Sequence, residues 1–126
     1  MLSLKNSLAV LRKTNALLDG HFVLSSGLHS PSYVQCAKLL SFPNKSEKFT
    51  KSLAIKIKKK FKNIDLILSP AMGGIVIGYE IGRVLKKETI FCERVHGNFK
   101  LRRGFNIKKK SRVLIIEDVI TTGKSS

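Results

Sequence analysis

Residues 112–126 read RVLIIEDVITTGKSS, and no other stretch limits the fold so tightly. Val113, Leu114, Ile115 and Ile116 form an apolar, mostly β-branched run. That is the pattern of a strand buried on both faces, as in parallel sheets covered by helices. Glu117 and Asp118 stand at its carboxyl end, followed by Val119, Ile120, Thr121, Thr122 and Gly123. Lys124, Ser125 and Ser126 are suited to open a helix. Open α/β sheets bind ligands outside the carboxyl ends of their strands. A turn of Thr, Gly and Ser entering a helix aims N–H groups and hydroxyls at an anion. The two acids repel that anion, so they suit neutral hydroxyls, or a divalent cation that accompanies phosphate. Hydroxyl acceptors beside a phosphate cradle describe a site for a sugar phosphate.

Gly123-Lys124-Ser125 also looks like the tail of a Walker A loop. That loop needs a glycine five positions earlier, where this chain has Asp118.

Upstream, residues 7–18 are expected to form an amphipathic helix with Leu8, Leu11, Asn15 and Leu18 on one face and Gly20 as its stop. Residues 20–34 read as two short strands around a Ser-Gly turn. Residues 43–62 give the clearest helix, with Phe49, Leu53, Ile57 and Phe61 as its apolar stripe, Ser46 as cap and Asn63 as stop. Residues 64–68 form the next strand, which runs into Ser69-Pro70-Ala71-Met72-Gly73-Gly74, a turn of little side-chain bulk. The helix over 74–85 carries Gly74, Gly78 and Gly82 on one face. Each interior glycine costs about 1 kcal/mol against alanine, so a row of them implies very close packing on the sheet. Residues 89–95 are a further strand. Residues 96–110, basic and bracketed by glycines, read as a mobile hairpin or lid. The order fits an α/β fold with a parallel sheet and an N-terminal addition.

The chain has 126 residues, enough for one modest domain, and a formal charge of +16. Lysine runs such as Lys58-Lys59-Lys60 and Lys108-Lys109-Lys110 supply much of that charge. They are scattered and carry little aromatic interleaving, so most are read as solvated faces rather than a nucleic-acid surface. Cys36 and Cys92 are far apart with no CxxC or His/Cys cluster, which argues against zinc and for buried free thiols in a reducing cytoplasm. The start lacks the apolar core and cleavage site of a signal peptide, and no stretch is long enough for a membrane helix. His21, His29 and His96 are read as incidental.

Residues 113–125 resemble the phosphoribosyl-diphosphate (PRPP) signature of the type I phosphoribosyltransferases: four apolar residues, two acids, an apolar pair, Thr-Thr-Gly. The segment 22–33, SPAMGG at 69–74 and ERVHGNFKLRRGF at 93–105 extend the likeness to the orotate phosphoribosyltransferases, from about residue 15 onward. The resemblance implies a five-stranded parallel sheet flanked by helices, an N-terminal hood over about 1–40, a core over 41–126 and a flexible catalytic loop, together one phosphoribosyltransferase domain. It implies transfer of ribose 5-phosphate from PRPP to orotate with Mg²⁺, giving orotidine 5′-phosphate and pyrophosphate. Arg94, Lys100, Arg102 and Arg103 are then the candidate cations of the lid, with Asp118 as a further catalytic candidate. Glu117 and Asp118 would hold the ribose hydroxyls, with no direct metal ligand from the protein. Val119, Ile120, Thr121, Thr122, Gly123, Lys124 and Ser125 would complete the PRPP site. Thr121, Phe22 and Tyr33 would face orotate, and Ala71, Met72, Gly73 and Gly74 the pyrophosphate. A homodimer in the cytoplasm follows by the same analogy, with neither nucleic acid nor membrane as partner.

Two departures stand out. Some relatives carry lysines where Ser25 and Met72 stand, so those phosphate contacts must be made otherwise here. Family members also continue for several elements past position 126, among them an arginine for the orotate carboxylate. The chain is therefore read as C-terminally truncated, with weak or no turnover expected. The rival readings are a type I enzyme for a purine base and a PRPP-sensing regulator that binds nucleic acid without catalysis.

Overall fold

The computed structural model describes residues 2–120 and Gly123. The chain divides into two compact units, Met1–Phe49 and Thr50–Ser126.

In the first unit, α1 (Leu4–Lys13) is capped by Ser3, whose side chain accepts the Asn6 N–H at 3.2 Å. The expected helix over 7–18 is corrected here. Asn15 takes φ 55°, its N–H reaches the Arg12 carbonyl at 3.0 Å, and the Ala16 N–H reaches that of Leu11 at 2.8 Å. This is a Schellman closure with Asn in the position usually held by Gly, and it ends the helix before Leu18. Leu18 and Gly20 belong instead to β1 (Leu17–Val23), paired antiparallel with β2 (His29–Val34). The expected Ser-Gly turn joins them, and the register shifts between Asp19 and Phe22. A short helix, α2 (Cys36–Leu40), was not foreseen.

The next helix, α3, runs Pro43–Lys60. Pro43 occupies its first position, where a missing N–H costs nothing, and the Phe42 carbonyl accepts from the N–H of Ser46 at 2.9 Å. Ser46 is thus inside the helix rather than its cap, and its hydroxyl donates to the Pro43 carbonyl at 3.1 Å. The helix stops short of Asn63, which itself has φ 60°. Its buried line is Ser46, Thr50, Ala54 and Ile57. Of the expected stripe only Ile57 is buried, while Leu53 and Phe61 are exposed. Ala54 and Ile57 join Ile67, Ile81 and Ile116 in the core, which leaves Leu53 and Phe61 on the exposed side.

In the second unit four strands lie in the order β5-β4-β3-β6: β3 (Leu66–Pro70), β4 (Glu88–Val95), β5 (Asn98–Leu101) and β6 (Val113–Ile115). β3 is parallel to both neighbours, and β5 is antiparallel to β4. The expected parallel sheet is therefore present with an antiparallel edge. α4 (Gly73–Leu85) connects β3 to β4. Ala54, Ile57, Ile67, Ile81 and Ile116 form the apolar core. The glycine row packs as expected: a Cβ at Gly78 would overlap Ser69 Oγ, and one at Gly82 would overlap Thr89 Oγ1. Burial of residues 113–116 on both faces is corrected, because Ile115 is 45% exposed while Ile116 is 7% exposed. One face of β6 lacks cover among the described residues.

Candidate active site

Parallel pairing brings the carboxyl ends of β3, β4 and β6 to one side of the sheet. Pro70 pairs with Cys92, and the Ile116 N–H extends the β6 ladder to the Leu68 carbonyl at 2.9 Å. The residues that follow each strand therefore emerge together: 71–74 after β3, Glu93 and Arg94 at the end of β4, Glu117 and Asp118 after β6. The Ala71 N–H donates to the Cys92 carbonyl at 2.8 Å and ties the first loop to β4. The Ala71–Met72 peptide is cis, and Met72 is exposed.

Gly73 and Gly74 open α4 directly against the two acids. An ideal Cβ on Gly73 would lie 2.8 Å from either carboxylate oxygen of Asp118. One on Gly74 would lie 3.0 Å from the Ile116 carbonyl and 3.2 Å from Glu117 Oε1. Only glycine leaves room for the carboxylates at this distance. The positive end of the α4 dipole faces them, and no acid of its own sits in the first turn. The Asp118 N–H donates to Glu117 Oε1 at 3.1 Å, and the Val119 N–H donates to Asp118 Oδ1 at 2.9 Å. The backbone bond favours the charged form, yet burial, and then a side-chain hydrogen bond with Asp118, push the Glu117 carboxyl above its ordinary range. Cys92 lies close enough to Glu117 for its charge to add to burial in raising the thiol.

The basic segment is a hairpin. His96 and Gly97 have φ 49° and 83°, so both central residues of the turn are left-handed, as a type I′ turn requires. Arg94 Nη1 donates to the Gly97 carbonyl at 3.0 Å, and its guanidinium lies 4.4 Å from the Phe99 ring centre. Arg103 grips Glu93 through two hydrogen bonds, 3.0 and 3.1 Å, which lower the Glu93 carboxyl below its usual range. Lys100 pairs in register with Glu93, and Lys100 and Arg102 are both exposed. Two of the four candidate cations are thus engaged within their own hairpin. Glu93 was missed in the sequence; the His-Gly turn signal, which brings Glu93 opposite Lys100, was its cue.

Phe22 and Tyr33 meet in the first unit with ring centres 5.6 Å apart. Gly123 has φ 77°. Thr121, Thr122, Lys124 and Ser125 lie outside the described residues.

No protein-family model matches the chain. It is 49% identical over 120 residues to the orotate phosphoribosyltransferase of Erythrobacter litoralis, covering 94% of this chain and 62% of that protein. Against the orotate phosphoribosyltransferase of Sphingopyxis alaskensis the identity is 52% over 120 residues, covering 94% and 61%. The chain is a homologue of the orotate phosphoribosyltransferases. It spans about three fifths of the length of these curated relatives. The crystal structure of orotate phosphoribosyltransferase from Aeropyrum pernix superposes with a TM-score of 0.67 at 25% identity, over 93% of this chain and 67% of that one. The Francisella tularensis orotate phosphoribosyltransferase gives a TM-score of 0.66 at 23% identity, over 95% and 57%, a likeness of fold. The α/β fold is that of the orotate phosphoribosyltransferases. Their name matches the family that residues 113–125 resemble.

Proposed function

We propose that the chain carries the PRPP-facing part of an orotate phosphoribosyltransferase, within one domain made of a hood segment over about 1–40 and a core over 41–126. The observation that carries this reading is the approach of Glu117 and Asp118 to the bare Gly73–Gly74 turn. Two hydroxyl acceptors beside a backbone-lined helix N-terminus suit a ribose that bears a diphosphate.

In the reaction the anomeric carbon loses pyrophosphate and gains the N1 nitrogen of orotate, and positive charge grows on the ribose ring between these events. Glu117 and Asp118 accept from the 2′- and 3′-hydroxyls and stabilise that charge. Backbone groups of Ala71, Met72, Gly73 and Gly74 face the leaving pyrophosphate. Lys100 and Arg102 neutralise it, and Arg103 joins them once Glu93 lets go. Thr121, Thr122, Gly123, Lys124 and Ser125 hold the 5′-phosphate; Thr121, Phe22 and Tyr33 contact orotate.

Mg²⁺ fits this chemistry, because the nearby donors are hard carboxylate and backbone oxygens. The ion would be held chiefly by the phosphates of PRPP and by water. When bound, it screens the charge of the departing pyrophosphate. The same reading includes a cytoplasmic homodimer with the lid acting across the interface. Among the described residues no helix is long and apolar enough to cross a membrane.

Titration calorimetry with PRPP tests the reading. Affinity should require Mg²⁺ and should drop in Asp118→Asn and in Gly73→Ala, whose methyl group displaces the Asp118 carboxylate. Binding that ignores both Mg²⁺ and Asp118→Asn would sink it. Turnover is followed separately by orotate absorbance.

A further inference from the structure

We propose that His21 and His29 form a two-histidine site for a borderline divalent transition-metal ion such as Zn²⁺ or Ni²⁺. His21 Nε2 lies 2.6 Å from His29 Nδ1, the ring centres are 4.8 Å apart, and both side chains are exposed. The pair is built by the hairpin. His29 opens β2 opposite Val23, and His21, two residues before Val23 in the adjoining strand, is its diagonal neighbour.

As the pair stands, one ring donates an N–H to the lone pair of the other. A change of tautomer on the donor ring moves that proton to its far nitrogen and turns two lone pairs toward one point. No proton is gained or lost in that change. Zn–N bonds of about 2.0–2.1 Å in tetrahedral geometry set the nitrogens about 3.3 Å apart, so the exposed rings need to part by less than about 1 Å. Imidazole nitrogen selects Zn²⁺, Ni²⁺ and Cu²⁺ over Mg²⁺.

No third His, Cys, Asp or Glu joins the pair among the described residues, so water completes the coordination. Asp19, the acid of the same strand, is engaged by Arg12 at 3.2 Å. The formal charge of +16 opposes any cation held by charge alone. Ligation through neutral lone pairs is the mode that tolerates it best.

The experiment uses the untagged full chain. Titration calorimetry with Zn²⁺ should show one ion per chain, lost in His21→Asn and in His29→Asn and retained in His96→Asn. Excess Mg²⁺ should not displace it. The chain has three histidines, so paramagnetic Ni²⁺ should broaden the ring signals of His21 and His29 in NMR spectra and spare those of His96. Absence of stoichiometric Zn²⁺ binding, binding that survives in both hairpin variants, or equal broadening of all three histidines would overturn the site. PRPP binding in His21→Asn should stay as in the parent, which separates this site from the proposed activity.

Discussion

Glu117 shows how a single side chain is set between folding and ligand. Burial comes first and the side-chain hydrogen bond with Asp118 second in raising its carboxyl. The folded chain therefore binds this proton more tightly than the unfolded chain does. The stabilising contribution is complete below the unfolded carboxyl range and is lost as pH rises through the raised folded value. Glu117→Gln cannot ionise. It should melt at a higher temperature than the parent at neutral pH, with the difference closing toward about pH 4, where an ordinary glutamate takes up its proton. PRPP affinity should fall in the same variant, because the amide is a poorer acceptor for a hydroxyl. Thermal melts at the two pH values, set beside PRPP titrations, check both halves. At the same scale, buried Cys92, with its thiol pushed up, should react with iodoacetamide more slowly than part-exposed Cys36. Mass mapping of the modified chain reads the order. Cys36 also corrects the expectation that both thiols are buried.

Among the elements, α4 was the most legible. Its glycine row announced close packing on the sheet, and Gly78 and Gly82 lie against Ser69 and Thr89. Gly78→Ala gains about 1 kcal/mol of helix propensity. It forces a methyl group into Ser69, and overpacking of this kind costs about 1–3 kcal/mol, so the balance should be destabilising or at best neutral. Urea unfolding measures it, and clear stabilisation would contradict the packing. The β4–β5 hairpin was legible as a hairpin but not as a latch. Its latch is the Glu93–Arg103 pair. Arg103 is largely exposed although Glu93 is part-buried, so Glu93→Gln should lower the melting temperature only slightly. It should speed tryptic cleavage after Arg102 and Arg103, which gel time courses would show. The helices α1 and α3 were less legible. Asn15 ended α1 because an αL turn closes it, a signal that the more familiar Gly20 overshadowed. In α3 the largest apolar residues suggested one face, and the buried line of Ser, Thr, Ala and Ile is another.

For the molecule as a whole, net charge is the property most easily over-read. A lysine excess raises the potential everywhere, yet salt screens exposed charges over about 8 Å. Replacing Lys58, Lys59 and Lys60 together with Gln should leave PRPP affinity little changed, whereas Lys100→Gln should weaken it. Calorimetry at fixed salt distinguishes the two. The amino-acid sequence by itself determined the α/β class, the β1–β2 hairpin, the glycine-lined α4 and the acid pair after the last strand. These depend on local periodicity and on turn chemistry, which a single chain segment carries within itself. Tertiary structure alone decided which side of α3 is buried, that Ile115 stays uncovered, that Glu93 restrains Arg103, and that Gly73 stands against Asp118. Each of those depends on the distance between segments far apart in the chain, and such distances exist only once the sheet has paired.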